Sequence, residues 1–196
     1  MPRIVETIVT TANAEGEVHI APLGLIQDGD HWIIAPFKPS KTLDNLRANP
    51  FAAASHTGDV RVFAGCVTGR KSWPLVPATK IKGGRLADCV SHWELKVDST
   101  IEDDLRPRFK CKIMHQETHQ PWGGFNRAEA AVLELAVLTT RLAMLPPEKI
   151  DAELKYLDIA ISKTAGAREQ EAWGWLMDKV TAWRAANPSL TTSKKG

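Results

Sequence analysis

Apolar positions recur with period two over the first two-thirds of the chain and with a period near 3.6 over the last third. Residues 4–11 are β-branched at nearly every position and end at Asn13-Ala14-Glu15-Gly16, which predicts a strand closed by a turn. A second strand is predicted over 18–26. Its phase breaks at Pro22: Val18 and Ile20 share one face, whereas Leu23 and Leu25 fall on the other, so a bulge or an edge position is expected there. Asp28-Gly29 is a hairpin turn into a third strand at 31–37. A short helix over 42–49 is stopped by Pro50, and 51–56 and 59–63 read as two further short strands. Beyond a Gly-Gly turn at 83–84, Trp93, Leu95 and Val97 alternate with charged residues, as do Phe109, Cys111 and Ile113. Short strands separated by turn signals predict an antiparallel barrel.

The pattern changes at Phe125. Asn126 can cap a helix, with Glu129 at the reciprocal capping-box position, and that helix is expected to run to about Leu145, before Pro146-Pro147. A second helix starts at Pro147, carries Ile150, Leu154, Leu157 and Ile161 on one stripe, and ends near Gly166. A third places Trp173, Leu176, Met177, Val180 and Trp183 on one face and ends before Pro188. The expected organisation is a barrel over 1–124, three helices over 125–188 and a disordered tail over 189–196. Residues 130–138 are apolar almost all round, which predicts a buried helix. Arg127, Glu134 and Arg141 nevertheless recur every seven residues along one line of it. Buried charges need partners, so the line reads as an internal ion-pair ladder, as a dimer seam, or as a site where Arg127 meets an anionic ligand.

Composition narrows the classes. Hydrophobic residues make up 43% of the chain and charged residues 24%, as in an ordinary globular protein. A formal charge of +2, with no basic stripe interleaved with aromatics, argues against a nucleic-acid partner. The three cysteines, Cys66, Cys89 and Cys111, are widely spaced and odd in number, which suits apolar fillers in a reducing compartment rather than disulfides. The N-terminus has no apolar signal region, and no stretch of membrane-spanning length is free of charge, so no membrane association and a cytoplasmic location are expected.

Two motifs fail on inspection. Gly65 to Ser72 superficially resembles a phosphate loop, but only three residues separate the glycines, Arg70 displaces the lysine, and Trp73-Pro74 opposes the helix such a loop must enter. His115 and His119 are four apart, as helical zinc ligands would be. On the strand predicted there they lie roughly 13 Å apart, too far for one ion. No metal is expected.

The run from Phe37 to Leu46 carries more. It leaves a strand, turns through Lys38, Pro39, Ser40 and Lys41, and enters a helix at Thr42. Such a turn offers free backbone N–H groups and two hydroxyls at a helix N-terminus, an anion-binding arrangement; read alone, it is equally an ordinary N-cap with two solvated lysines. The preceding hairpin holds Ala21-Pro22-Leu23-Gly24, where Gly24 would let a flat ligand approach the backbone.

Together with Glu6 to Thr11, Asn45 and Phe125-Asn126-Arg127-Ala128, these segments resemble the FMN-binding split-barrel proteins related to flavin reductases, in a branch with a helical C-terminal extension. The resemblance implies an α+β fold, an antiparallel split β-barrel followed by a three-helix region. It also implies a homodimer with one FMN per subunit near the interface. Ser40, Lys41 and Thr42 would hold the phosphate, with Lys38 adding charge and Asn45 supporting the turn. Pro22, Leu23 and Gly24 would run beside the isoalloxazine ring, Thr10 and Thr11 would reach the ribityl chain or flavin, and Asn126 and Arg127 would be site residues. The implied function is a flavin reductase-like oxidoreductase using a nicotinamide or another donor and a small redox partner. Its rival is a flavin carrier or sensor without turnover. The branch also suggests a link to pterin-dependent one-carbon metabolism.

Overall fold

The β-branched N-terminal run forms β1 (Ile4–Ala12), which pairs antiparallel with β2 (Val18–Asp28) in unbroken register from Ile4↔Ile26 to Ala12↔Val18. The structure, a computed structural model, describes residues 1–188; the tail expected over 189–196 lies outside the described residues. The chain continues through β3 (His31–Ile34), α1 (Lys41–Ala48), β4 (Phe51–His56), α2 (Arg61–Thr68), β5 (Leu75–Pro77) and β6 (Gly84–Leu86). Then come β7 (Ser91–Ile101), β8 (Arg108–Thr118), α3 (Arg127–Thr139), α4 (Pro147–Thr164) and α5 (Ala167–Ala186). Six strands close an antiparallel barrel in the order β1-β2-β3-β8-β7-β4, and β5 and β6 form a separate two-stranded ribbon. The fold is α+β, as the alternation and the later helical stripes predicted.

Among the described residues β2 pairs with β3 only at Ile26, Gln27 and Asp28, so its residues 18–25 keep one edge without a strand partner there. Pro22, opposite Ile8, sits in that stretch, where an absent N–H breaks no ladder on the open side. The phase break is therefore an edge feature and not a bulge. In the barrel core, Val9, Leu25, Ile34, Leu95, Phe109 and Cys111 pack with Leu43 and Leu46 of α1. On the opposite face of β1 and β4 the ribbon is tied down by buried polar groups. The Thr10 hydroxyl donates to the carbonyls of Ala53 and Gly84, and Ser55 Oγ accepts from Leu86 N at 3.2 Å.

Two compact units are present: Met1–Gly58 with Ser72–Trp122, and Asp59–Lys71 with the chain from Gly123 onward. The segment expected as a strand at 59–63 is instead the start of α2, which packs with the C-terminal helices. Val60, Phe63, Ala64 and Val67 recur at helical spacing, whereas the two-residue alternation of Val60 and Val62 is too short to decide. Gly69, at φ 91°, ends the helix. Ala131, Val132, Leu135, Ile150, Leu176 and Val180 form the core of this unit.

α3 is shorter than expected. The Thr139 hydroxyl donates to Leu135 O at 2.6 Å and that of Thr140 to Val137 O at 2.7 Å, and the chain passes into a 3-10 turn at Leu142–Met144. Nor is α3 buried all round. Arg127, Ala130, Glu134 and Arg141 are exposed, and among the described residues the three charges join no ion pair, so the expected internal ladder is absent. No helix among the described residues is long and apolar enough to cross a membrane.

Candidate functional site

β3 runs out into the turn at 36–40, which is braced from the β7–β8 connection. Lys38 N–H donates to Leu105 O at 2.9 Å, and Arg106 donates through Nε and Nη2 to Ala35 O while its guanidinium lies 4.4 Å from the Phe37 ring centre. Ser40 is the N-cap of α1: its Oγ accepts from Leu43 N at 3.3 Å, and its carbonyl from Asp44 N. That leaves the N–H groups of Lys41 and Thr42 without an acceptor among the described residues. Ser40 Oγ also retains a proton to donate. Thr42 is buried, and its hydroxyl makes no hydrogen bond among the described residues. Asn45, on the buried side of α1, donates through Nδ2 to Thr11 Oγ1 at 3.0 Å and so anchors the helix to β1.

The cations differ. Lys41 is exposed and joins no ion pair among the described residues. Lys38 Nζ lies 3.7 Å from Glu102, whose two oxygens are taken more closely by Arg47. An N-terminal helix turn with two uncommitted N–H groups, two hydroxyls and an uncompensated lysine is a donor set suited to a phosphate.

The other expected site residues are placed as follows. Pro22, Leu23 and Gly24 lie half-buried on the open-edged stretch of β2, and Leu23 O accepts from the Thr7 hydroxyl at 3.0 Å. At Gly24 a Cβ would come within 2.7 Å of Ile4 Cγ2 and 3.0 Å of Glu6 Oε1, so its missing side chain makes room for residues of β1. Thr10 spends its hydroxyl inside the barrel wall, whereas Thr11 belongs to the α1 anchor. Asn126 and Arg127 belong to the helical unit. Asn126 caps α3, accepting from Ala128 N at 2.8 Å and donating to Thr164 O, and Glu129 does not complete a capping box. Arg127 lines a groove of about 250 Å³ with Ala130, Glu134, Tyr156 and Ile159.

A polar cluster that the motif reading passed over lies on β7. His92 and Glu94 are fully buried, and the Glu94 carboxylate accepts the backbone N–H groups of Thr79, Lys80 and Ile81. Burial alone would raise the Glu94 pKa; the Thr79 and Lys80 N–H bonds, with His92, hold it below the usual carboxylate range. Burial pushes the His92 imidazole down, against the opposing pull of Glu94. The signal was present as His92-x-Glu94 and His115-x-Glu117-x-His119, a period-two array on two strands.

A family model for the N-terminal domain of a protein of unknown function, DUF447, matches residues 5–120, and its C-terminal counterpart matches 126–178. The chain belongs to the DUF447 family. Among solved structures it resembles an FMN-bound protein from Methanosarcina mazei, itself assigned to DUF447, with a TM-score of 0.77 and 20% identity. That match covers 91% of this chain and 96% of the other. The fold also resembles 2-nitrobenzoate 2-nitroreductase from Pseudomonas fluorescens, at TM-score 0.51 and 22% identity, over 61% of this chain and 66% of that one. Flavoredoxin from Methanosarcina acetivorans matches at TM-score 0.50 and 17% identity, over 61% and 69%. The extent of the M. mazei match separates the DUF447 architecture, barrel and helices together, from the two partial matches. No curated protein matches the chain.

Proposed function

We propose that this DUF447 chain is an FMN-binding flavoprotein whose phosphate site is the turn from β3 into α1. The observation that carries the reading is the set of uncommitted donors at Ser40, Lys41 and Thr42, held rigid by the Asn45–Thr11 bond. It is supported by the likeness, over nearly the whole chain, to a family member that is FMN-bound. The N–H groups of Lys41 and Thr42 and the hydroxyls of Ser40 and Thr42 bind the phosphate, and the charges of Lys38 and Lys41 attract it. The open-edged stretch of β2 at 22–24 runs beside the polar rim of the ring system. Bound flavin supplies the hydride and electron chemistry, so the protein's part is to orient the cofactor and its partner. A second copy of the chain completes the site, in line with the homodimer that the split-barrel resemblance implies.

The reaction in this reading is reduction of the flavin by a nicotinamide and passage of the electrons to a small acceptor. The competing role is storage or transport of flavin without turnover. Mixing the FMN-loaded protein with NADH or NADPH under anaerobic conditions separates them. Rapid bleaching of the flavin bands is the expected result. Flavin that remains oxidised with both donors rules out the nicotinamide reductase and leaves a carrier or an enzyme with a different donor.

A further inference from the structure

The β7–β8 pairing sets His92 opposite Glu117 and Glu94 opposite His115. With His119 two residues beyond Glu117, five titratable side chains share one face of this strand pair. The neighbouring strand brings His92 between His115 and His119: the His92 ring stacks on His119 with centroids 5.1 Å apart and meets the edge of His115 at 5.7 Å.

The hydrogen-bond directions follow from Glu94. Its two oxygens already accept three backbone N–H groups, and Oε1 lies 3.2 Å from His92 Nε2, so Nε2 is the protonated nitrogen of His92. The Nδ1 lone pair of His92 then faces away from Glu94, towards His119 Nε2 at 2.9 Å. A carboxylate fixed by backbone donors, holding an imidazole so that its other nitrogen projects a lone pair, is the support that metal-ligating histidines use. Glu117 stands beside His119, its Oε1 being 3.9 Å from His119 Nδ1. One ligand atom each from His92, Glu117 and His119 lies within 4.8 Å of the others. Among the described residues His115 Nε2 is buried without a hydrogen-bond partner, and it lies 3.6 Å from Glu117, beside the same cluster.

We propose that His92, Glu117 and His119 form a binding site for a divalent transition ion, zinc being the best match, with Glu94 as the residue that orients His92. Two imidazoles and a carboxylate favour zinc, cobalt or nickel over magnesium or calcium. Zinc–nitrogen bonds of about 2.0–2.1 Å at a tetrahedral angle separate two ligand nitrogens by roughly 3.3 Å. The His92–His119 contact therefore opens by roughly 0.4 Å as the ion replaces the proton between them. Three protein ligands leave a fourth position for water or a small ligand. His92 and Glu94 are locked beneath the 79–81 loop, whereas Glu117 and His119 stand nearer solvent, which gives an ion a route of entry.

The test uses untagged full-length protein freed of metal by chelation and titrated with Zn²⁺ by calorimetry, then with Co²⁺ by visible absorption. One ion per chain, with the intense d–d bands of tetrahedral cobalt, is expected. His119→Ala, a partly exposed position, removes a ligand and is expected to abolish the bands while the metal-free melting temperature stays close to wild type. Glu94→Gln turns one acceptor into an NH2 that faces buried donors, so it is expected to lower the melting temperature as well as to weaken zinc affinity by about 10- to 100-fold, and the exposed-side variants carry the test. No binding by the wild-type chain, or binding that survives both His119→Ala and Glu117→Gln unchanged, overturns the site and leaves the cluster a hydrogen-bonded network. Neither result touches the flavin turn, whose residues are separate.

Discussion

In the barrel unit, Thr7, Thr10, Thr11, Thr42, Asn45, Ser55, His92 and Glu94 are all buried; in the helical unit the buried polar residues among those described are Asp59, Thr139 and Glu169. The helical unit follows the simpler rule, with apolar stripes inward and Arg127, Glu134 and Arg141 left in the open. The barrel does something more costly. Apart from Thr42, whose hydroxyl is uncommitted among the described residues, most of the buried polar groups there find a partner on a different element: Thr10 on the ribbon, Ser55 on β6, Asn45 on β1, Glu94 on the 79–81 loop. Such bonds fix the relative positions of segments far apart in sequence. Both the turn from β3 into α1 and the histidine cluster are built in the unit where those bonds are concentrated.

The largest effect should come from breaking the barrel's polar framework. Glu94→Ala strands three backbone N–H groups and His92 in a buried position, and is expected to cost about 3–5 kcal/mol. Urea denaturation gives the total, and hydrogen exchange followed by segment should show the loss in the barrel strands. In the helical unit, Leu176→Ala, which opens a cavity beside fully buried neighbours, should cost about 3 kcal/mol, with exchange faster in α3 and α5. If Glu94→Ala costs less than 1 kcal/mol, the comparison between the units fails.

A smaller effect concerns acid. Burial alone would raise the Asp59 pKa, but hydrogen bonds and charge from Arg61, with charge from Arg168, hold it below its ordinary 3.8. A carboxylate with a depressed folded pKa contributes stability above its unfolded value, and that contribution is lost as pH falls through the folded one. The helical unit should therefore weaken below about pH 4, and Asp59→Asn should flatten that part of the pH profile. A variant with the wild-type acid response would show that the Asp59–Arg61 pair adds nothing.

Much of the fold was legible in local pattern. The β-branched run of β1, which is buried on both faces from Thr7 to Ala12, the alternation in β7 and β8, and the stripes of α4 and α5 all survive in the structure. The α2 segment was not legible as a helix, because its short apolar run satisfies either period and only packing with the C-terminal helices decides it. The turn from β3 into α1 could be read because a strand exit, a cap and a helix start are contiguous. The histidine cluster could not, because the register that sets His92 opposite Glu117 is a property of two strands and appears in neither alone. At Gly24 the sequence could not show that Ile4 and Glu6 of β1 crowd the space a Cβ would fill.

The most direct test of the account is equilibrium titration of the purified, flavin-free chain with FMN, alongside the Ser40→Ala/Thr42→Ala double variant. The account predicts saturable binding of one FMN per chain. In the variant, affinity should fall at least about tenfold, or about 1.4 kcal/mol, with a stability loss no larger than the roughly 1 kcal/mol of a removed helix cap. Failure of the wild-type chain to bind FMN, or a folded double variant with unchanged affinity, would contradict it.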